Sequence, residues 1–346
     1  MKITINDIAR ELNLTSATVS RALNDHPRIS SKTKKLVQDK AAQMKYRRNT
    51  LASSLRSGKS HTIGVIIPSA QMSFFGSVVH GIENMASNNG YGIMLYQSEE
   101  KTALEKKAID AFLSARTDGI LASIAKETID FTHYTELKKR NIPLVFFDRT
   151  NEDIKIPSVV IDDYKGAFIA TEHLIKNGYE NIAHAAGPQN LKIFQNRLNG
   201  YKDALKFYGL PVSAQKIYNG DLSVAAGKKA ADYFLKLKQA PDAVFAVEDY
   251  TALGVIESLK EKNITIPDDF GVIGFANESF DEYITPSLSS VDQQTVQMGK
   301  EAFLLLMNII KQKDGKTNIT GKEKIVLEPI LCCRTSSAGK KVRKTA

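Results

Sequence analysis

Two kinds of hydrophobic pattern divide this chain of 346 residues. Up to about residue 45, apolar residues recur every three or four positions, which predicts amphipathic helices. Beyond residue 61, short runs of consecutive apolar residues alternate with amphipathic stretches. Such runs indicate strands that are buried on both faces. The change of pattern predicts a small helical unit followed by a larger unit of strands and helices.

The helical unit opens with a helix, a short turn and a second helix. Thr4 is followed three residues later by an acidic residue, which is the spacing of a capping box. Asn13 ends the first helix, and Thr15 begins the second after a turn of two residues. Small Ala9 allows the two helices to cross closely. The segment therefore predicts a helix-turn-helix, with a third helix beginning at Ser30.

The second helix presents two contrasting faces. A rotation of about 100° per residue places small and polar side chains on one face: Ser16, Ala17, Ser20, Arg21 and Asn24. The opposite face is apolar and consists of Val19, Ala22 and Leu23. Small groups with one arginine can enter the DNA major groove closely, and a helix capped by Thr15 points its positive end at a phosphate. An ordinary amphipathic surface helix is the simpler interpretation of these ten residues in isolation, but their neighbours favour DNA binding.

The distribution of charge along the chain also favours DNA binding by this segment. The whole chain carries a net charge of +9. Residues 1–60 hold 13 lysines and arginines against 4 acidic residues, a balance of +9, so the remaining 286 residues sum to zero. A neutral body with a basic N-terminal sixth is typical of a small module that binds a polyanion.

A short basic segment follows the helical unit. Residues 50–57 are long enough for two helical turns, which do not persist alone in water. Leu51 and Leu55, four residues apart, form an apolar stripe on this segment, and Gly58 begins a linker. A bare linker leaves the two leucines unexplained.

The larger unit alternates strands with helices in two successive series. Expected strands are 62–67, 91–96, 119–122, 143–147 and 158–161 in the first series, and 182–186, 243–246 and 271–275 in the second. Expected helices are 75–88, 99–116, 164–177 and 196–208. This alternation predicts two α/β lobes with parallel sheets, and such sheets bind ligands at the carboxyl ends of their strands.

The composition excludes several classes of protein. The only cysteines, Cys332 and Cys333, are adjacent, so neither a long-range disulfide nor a metal site is expected. No run of eighteen apolar residues is present, and no phosphate-binding glycine loop follows the first strand. The six histidines form no nucleophile or metal pattern. We expect no enzyme, no cofactor and no metal, and we expect a cytoplasmic, nucleoid-associated protein.

The chain resembles the lactose/galactose-repressor family of bacterial transcription regulators. The resemblance rests on these residues: Thr4–Asp7, Thr15–Arg21, Asn49–Leu55, Phe74-Phe75, Asp148-Arg149, Arg197–Tyr201, Glu248-Asp249 and Gly274-Phe275. It implies a helix-turn-helix headpiece joined to two doubly wound parallel-sheet lobes of the periplasmic-binding-protein type. It also implies a homodimer that binds a pseudo-palindromic operator and responds to a small-molecule effector.

The resemblance assigns DNA-binding roles to individual positions. Ser16 and Ala17 would choose base pairs, and Leu55 would enter the minor groove and bend the operator. Further contacts are implied at Thr4, Asn6, Thr15, Thr18, Ser20, Arg21, Asn24, Ser30, Thr33, Tyr46, Asn49 and Ala52. One departure is Arg48, where the family usually has proline, and it weakens the fixed entry into the hinge helix.

The resemblance also implies an effector cleft between the lobes. The expected contact residues are Ser73, Phe74, Asp148, Arg197, Leu222, Glu248, Ala276, Asn277 and Gln293. Arg197 would grip vicinal hydroxyls or a carboxylate, and Asp148 would accept hydroxyl hydrogens. Ala276 stands where sugar-binding members commonly have aspartate, and Leu222 stands where they have an aromatic platform. Carbohydrate remains the leading effector class, and Asn277 and Glu248 are expected to take over hydroxyl binding.

The resulting domain plan has three parts. Residues 1–48 form the headpiece, 49–60 the hinge helix and linker, and 61–346 the effector-binding and dimerisation domain. The N-lobe takes about 61–161 and 293–327, the C-lobe about 162–292 and 328–339, and 340–346 form a basic tail. Two alternatives remain: a global carbon regulator gated by a phosphocarrier protein, and a periplasmic-type sugar-binding protein, which the basic N-terminus argues against.

Overall fold

The computed structural model describes residues 3–46, 59–313 and 324–339. The chain separates into two compact units, Met1–Ser60 and His61–Ala346. Arg48 and the residues expected to form the hinge helix, with Asn49, Leu51, Ala52 and Leu55 among them, lie outside the described residues.

Three helices form the first unit: α1 Ile5–Glu11, α2 Ser16–Leu23 and α3 Ser31–Gln43. A side chain caps the N-terminus of each, and the capping residues are Thr4, Thr15 and Ser30. The helices enclose a small apolar core made by Ile8, Ala9, Val19, Ala22, Val37 and Ala41. The apolar spacing of the sequence thus produces the expected helix-turn-helix with a third helix packed against it.

The N-lobe is built on a six-stranded parallel sheet. Its strands are β1 Thr62–Ile67, β2 Gly92–Gln97, β3 Gly119–Ala122, β4 Leu144–Phe147, β5 Ser158–Ile161 and β11 Lys324–Leu327, in the order β11-β5-β4-β3-β1-β2. Its helices are α4 Ser73–Asn88, α5 Thr102–Ala115, α6 Thr132–Lys139 and α11 Thr295–Lys313. The central strands β3, β4 and β5 are buried throughout, which explains their continuous apolar sequences.

The C-lobe is built on a four-stranded parallel sheet. Its strands are β6 Ile182–Ala186, β7 Ile217–Asn219, β8 Ala243–Ala246 and β9 Gly271–Ile273, in the order β7-β6-β8-β9. Its helices are α7 Asp163–Lys176, α8 Lys192–Phe207, α9 Val224–Leu235 and α10 Asp249–Glu261. The antiparallel pair β10 Ser290–Asp292 and β12 Ile330–Cys332 completes the described strands.

Three segments carry the chain from one lobe to the other. The first joins β5 to α7, the second joins β10 to α11, and the third joins β11 to β12. Helix α11 and strand β11 follow the C-lobe in the chain, but β11 pairs with β5 in the N-lobe sheet. The N-lobe is therefore assembled from two separate parts of the chain. The carboxyl ends of both parallel sheets therefore meet where these segments cross.

The predicted helix over 99–116 is wrong at its beginning. Glu99 and Glu100 adopt positive φ angles of 48° and 62°, and helix α5 begins only at Thr102. A residue in the left-handed region cannot continue a right-handed helix. The turn has a use, because it places the Glu100 carboxylate beside the buried Arg149. In the part of the chain that the structure describes, no helix is long and apolar enough to cross a membrane.

Helices α9 and α10 cross at a pair of glycines. A Cβ on Gly254 would lie 2.0 Å from the Val224 carbonyl oxygen, and a Cβ on Gly227 would lie 2.1 Å from the Thr251 carbonyl oxygen. Neither backbone oxygen can move without shifting its helix. The two glycines therefore set the distance between the helices that cover one face of the C-lobe sheet.

Gly254→Ala is expected to lower the free energy of unfolding by about 1–3 kcal/mol, because the added methyl group forces the two helices apart. The control is Gly76→Ala on α4, where no atom lies within 4 Å of the added Cβ and the change is expected to be neutral or stabilising. Differential scanning calorimetry of the two variants measures the difference. Equal melting temperatures would show that the glycine contact does not set the helix spacing.

Candidate functional site

The exposed face of α2 is a candidate nucleic-acid interface. Ser16, Ala17 and Arg21 are exposed, whereas Val19 and Ala22 on the opposite face are fully buried in the headpiece core. The two faces that the sequence predicts are thus separated in the structure as solvent-facing and core-facing. The remaining predicted contacts on this helix, Thr18, Ser20 and Asn24, range from half-buried to exposed.

The helix N-termini supply positive potential beside that face. The Thr15 side chain accepts a hydrogen bond from the Thr18 amide, and Ser30 caps α3 in the same way through Thr33. No acidic residue lies in the first turn of α2 or α3, so nothing there neutralises the helix dipole. Both ends are suited to receive phosphate groups. The α1 terminus differs, because Asp7 completes a capping box with Thr4.

A hydrogen bond between helices fixes the position of the predicted base-reading residues. The Ser16 hydroxyl donates to the Asn6 Oδ1 at 2.7 Å and so ties the start of α2 to α1. Tyr46 packs, partly buried, against the headpiece core. Of the fifteen predicted DNA contacts, Asn49, Ala52 and Leu55 lie outside the described residues.

A cavity between the two lobes is the candidate effector site. It encloses about 390 Å³, part of which is open to solvent. Its lining includes seven of the predicted contact residues: Phe74, Asp148, Arg197, Leu222, Glu248, Ala276 and Gln293. Residues from the N-lobe, the C-lobe and the segment after β10 thus face one space between the lobes, which is a common place for a ligand site.

Two predicted contacts do not line this cavity. Asn277 is engaged elsewhere, because its Nδ2 donates to Asp292 at 3.3 Å and its Oδ1 accepts from Arg334 at 2.7 Å. Ser73 is the first residue of α4 and lies beside the lining residue Phe74. Asn277 therefore stabilises the turn after β9 instead of facing the cavity.

The structure adds lining residues that the sequence reasoning missed. They are Met72, Phe75, Arg149, Ile193, Phe194 and Glu278. Two could have been found, since Phe75 and Arg149 belong to the motifs on which the resemblance rests, and Phe194 precedes Arg197 by one helical turn. Glu278 had no local signal. It reaches the cavity because Ala276 and Asn277 both adopt positive φ, 134° and 54°, and turn the chain back.

Arg197 is the most extensively bonded side chain of the cavity. Its Nε donates to the Asp163 carboxylate at 2.8 Å, its Nη1 to the Val247 carbonyl at 2.8 Å and its Nη2 to the Gln293 side chain at 3.2 Å. The guanidinium lies 3.7 Å from the centre of the Phe275 ring. Arg197 therefore joins α7, the end of β8 and the segment after β10. Burial raises the pKa of its partner Asp163 to about 6.

The N-lobe contributes an acidic and a basic residue to the cavity wall. Asp148, at a positive φ of 59°, accepts a hydrogen bond from the Ser123 hydroxyl at 3.3 Å, and burial raises its pKa. Arg149 Nη1 donates to both Glu100 carboxylate oxygens at 2.9 and 2.8 Å. The Arg149 charge is thus already balanced by Glu100, whereas Asp148 retains capacity to accept hydrogen bonds.

The C-lobe contributes two buried glutamates. Glu248 caps α10 and accepts hydrogen bonds from the Thr251 amide and hydroxyl, each at 3.0 Å. Burial and the neighbouring Asp249 raise the pKa of Glu248 to about 8. Glu278 accepts from the Phe74 amide at 3.3 Å, and burial followed by Asp249 raises its pKa to about 7. The C-lobe side of the cavity is therefore rich in carboxyl groups.

Leu222 contributes an aliphatic side chain to the cavity. It adopts a positive φ of 75° and packs with Leu191, Ile193, Phe194 and Val247. The aromatic surfaces of the cavity come instead from Phe74 and Phe75 on α4 and from Phe194 on α8. An apolar face and several polar groups therefore converge on one space, as in sites for small polar molecules.

Comparison with known proteins covers both units. A family model described as "Bacterial regulatory proteins, lacI family" matches residues 4–49. A second, "Periplasmic binding proteins and sugar binding domain of LacI family", matches residues 60–326. The chain is 34% identical to catabolite control protein A of Priestia megaterium over 92% of this chain and 96% of that protein.

Two further matches agree with these. The chain is 32% identical to the HTH-type transcriptional repressor CytR of Escherichia coli K12, over 88% of this chain and 89% of that protein. The crystal structure of the lac repressor dimer bound to operator and the anti-inducer ONPF has a TM-score of 0.84 at 22% identity. That match covers 97% of this chain and 99% of the other. The structural match shows the same fold.

Lowering the pH from 8.5 to 6.5 is expected to raise the thermal stability of the protein. Glu248 and Glu278 have folded-state pKa values of about 8 and about 7, above the ordinary value of 4.5. In this window the folded state therefore holds protons that the unfolded state has released, and stability falls as the pH rises. The window stays above pH 6.5, because the buried His184, with its pKa lowered to about 4, opposes the trend below it.

Calorimetric melting of the wild type, Glu248→Gln and Glu278→Gln at intervals across this range measures the effect. Each variant is expected to show a flatter dependence of melting temperature on pH, while the exposed Glu180→Gln keeps the wild-type slope. Unchanged slopes in both cavity variants would contradict the assignment.

Proposed function

The chain belongs to the lacI family of bacterial regulatory proteins, and from that premise we propose a transcriptional repressor whose operator binding is gated by a small molecule between its lobes. The observation that carries the proposal is the cavity itself, because residues of both lobes and of a crossing segment line it. A ligand that contacts both lobes favours one lobe arrangement over another. Its relatives are transcriptional regulators, and we propose that this chain likewise has no enzymatic activity.

We propose that the exposed face of α2 reads the operator. Ser16 and Ala17 face base edges, where Ala17 contributes shape or contact with a thymine methyl group, since it has no hydrogen-bonding group. Arg21, Thr18, Ser20 and Asn24 bind phosphates or bases. The backbone contacts come from Thr4, Asn6, Thr15, Ser30, Thr33 and Tyr46. This assignment is supported by the exposure of α2 and by the uncompensated helix N-termini.

We propose a homodimer on a pseudo-palindromic operator. Two headpieces related by a two-fold axis read two half-sites, and residues Asn49, Ala52 and Leu55 act in the hinge between each headpiece and its body. Paired Leu55 side chains that enter the minor groove bend the operator at a cost of a few kcal/mol, which the additional contacts offset. The cytoplasm, where operator DNA lies, is the proposed location.

We propose a carbohydrate or carbohydrate derivative as the effector class. The second family model includes sugar-binding domains, and the cavity combines hydrogen-bond acceptors with the phenylalanines of α4 and α8. Asp148 and Glu248 accept hydroxyl hydrogens from opposite lobes, and Arg197 and Gln293 hold the groups between them. Ser73, which precedes Phe74 at the start of α4, remains a predicted effector contact. A coupling of about 1–3 kcal/mol gives a 5–150-fold change in operator affinity.

Gating by a phosphocarrier protein stays the alternative prediction. A pull-down with such a protein, alone and with operator DNA, separates it from gating by a small molecule alone. The sign of the small-molecule response, induction or corepression, follows from the direction of the change in operator affinity.

Arg21→Gln is expected to weaken operator binding at least tenfold, because it removes a charged donor from the base of the α2 face. The control is Arg10→Gln on α1, an arginine that is also exposed but lies outside that face, for which a change of about twofold or less is expected. Fluorescence anisotropy with an operator selected from random duplexes measures both affinities. Equal losses of affinity in the two variants would show that Arg21 contributes only non-specific positive charge to operator binding.

Asp148→Asn is expected to shift the effector response at least tenfold to higher concentration while leaving operator affinity within about twofold. The amide keeps the size of the side chain and loses half of its accepting capacity. Gel-shift titrations with a panel of mono- and disaccharides measure the response, with the exposed Asp153→Asn as control. If no member of the panel alters operator binding by the wild-type protein, effector gating by carbohydrate fails.

A further inference from the structure

The charged side chains that line the cavity differ in whether they have a partner of opposite charge. Both arginines of its wall form ion pairs with carboxylates that do not line the cavity, Arg149 with Glu100 and Arg197 with Asp163. The Nε of Arg149 lies 3.8 Å from Asp148 and has no hydrogen-bond partner among the described residues. No such cation stands beside Glu248 or Glu278 among the described residues. Burial without a cation disfavours the ionised form of these two carboxyl groups, so a ligand that brings positive charge would stabilise that form.

Glu278 is the residue with the clearest vacancy. It is only 3% exposed, and its Oε2 has no hydrogen-bond partner among the residues the structure describes. A buried carboxylate oxygen has room for two hydrogen bonds and normally receives at least one. Glu278 lines the cavity while its Oε2 has almost no accessible surface, so a donor inside the cavity reaches this oxygen when the carboxyl group turns toward the cavity.

The other oxygen of Glu278 already links the two lobes. Its Oε1 accepts a hydrogen bond from the amide of Phe74, in the first turn of α4. The N-cap residue of α4, Met72, makes no capping hydrogen bond with its own side chain. Glu278 belongs to the C-lobe turn after β9, so this hydrogen bond crosses from one lobe to the other. A ligand on Oε2 therefore contacts a residue whose position depends on the lobe arrangement.

The hydrogen bonds of Asp249 connect Glu278 to Glu248. The Glu278 amide donates to the Asp249 carboxylate at 3.0 Å, and Asp249 directly follows Glu248. Asp249 is held in turn by the Ser290 hydroxyl at 2.7 Å. Two carboxyl-bearing side chains are thus anchored to one buried point and line the same cavity.

We propose that Glu278 is a specificity-determining effector contact and that the effector carries a protonated amine held by Glu278 and Glu248. This inference rests on the proposed effector-gated function and names the ligand class as an amine-bearing polyhydroxyl compound. The hydroxyl groups bind Asp148 and Gln293, and the ammonium group donates to Glu278 Oε2. An anionic ligand is disfavoured, because a negative group beside Glu278 and Glu248 further opposes the ionisation of their carboxyl groups, and it gains only the Nε of Arg149, whose charge Glu100 already balances.

The test uses matched sets of ligands that differ only in charge. One set is D-glucosamine, D-glucose, N-acetyl-D-glucosamine and D-glucuronate, with the corresponding galactose and mannose sets. An open-chain set is 1-amino-1-deoxy-D-glucitol, D-glucitol and D-gluconate. Isothermal titration calorimetry at pH 6.5, where each amine is protonated, gives the affinity of the full-length protein for every member.

The wild type is expected to bind an amine-bearing member at least tenfold more tightly than its neutral and anionic counterparts. Glu278→Gln is expected to remove this preference, since glutamine still accepts from the Phe74 amide but has no charge. Glu248→Gln is expected to reduce it, and the exposed Glu180→Gln is expected to retain it. Binding should also release protons to the buffer in the wild type, and fewer in Glu278→Gln.

Three outcomes would overturn the inference: tighter binding of a neutral or anionic member, an amine preference that survives in Glu278→Gln, or no binding of any amine-bearing member. Gel shifts with the same compounds decide the proposed function separately. If a neutral or anionic compound changes operator affinity, the effector-gated function stands and only the charge preference of Glu278 fails. A purely structural role for Glu278 would alter stability but leave the order of ligand affinities unchanged.

Discussion

The hydrogen bonds of the buried Arg197 are the constraint on which the effector-binding unit depends. A guanidinium that is 3% exposed has to be matched by a carboxylate and by acceptors, because an unpaired charge at this depth costs about 3–5 kcal/mol. Asp163, the Val247 carbonyl and Gln293 supply them. These partners come from the first residue of α7, from the end of β8 and from the segment after β10, so one side chain joins two of the three segments that pass between the lobes to the end of a C-lobe strand.

That arrangement leaves the cavity with its particular electrostatic character. The two arginines of the wall are paired with Glu100 and Asp163, whereas the cavity-lining residues Asp148, Glu248 and Glu278 have raised pKa values. Asp249 and Asp281 lie behind them, and burial and their mutual proximity raise the pKa of Asp281 as well. Glu278 also accepts a hydrogen bond from the Phe74 amide, so a carboxyl group of the cavity takes part in the contact between the lobes.

The two units differed in how far sequence reasoning reached. In the headpiece, caps and apolar spacing act within a few residues, so Thr4, Thr15 and Ser30 could be recognised as the starts of helices, and the structure has each capping its helix. In the body, the predicted start of α5 was too early, because Glu99 and Glu100 adopt positive φ angles. This turn is associated with a hydrogen bond between Glu100 and the distant Arg149, which a local pattern does not reveal. The predicted base contacts and hinge contacts stay predictions.

The sequence by itself determined the class of the protein: a basic helix-turn-helix followed by strands and helices in two series, and a set of polar residues at strand ends. Those features depend on the spacing of residues that are close together in the sequence, so the sequence alone reveals them. Only the tertiary structure decided which polar residues share a space. Asn277 turns away to Arg334, while Glu278, one residue later, enters the cavity. The reason is physical: two successive positive φ angles reverse the chain there, and distant partners, Asp292 and Arg334 for Asn277 and the Phe74 amide for Glu278, select the direction of each side chain.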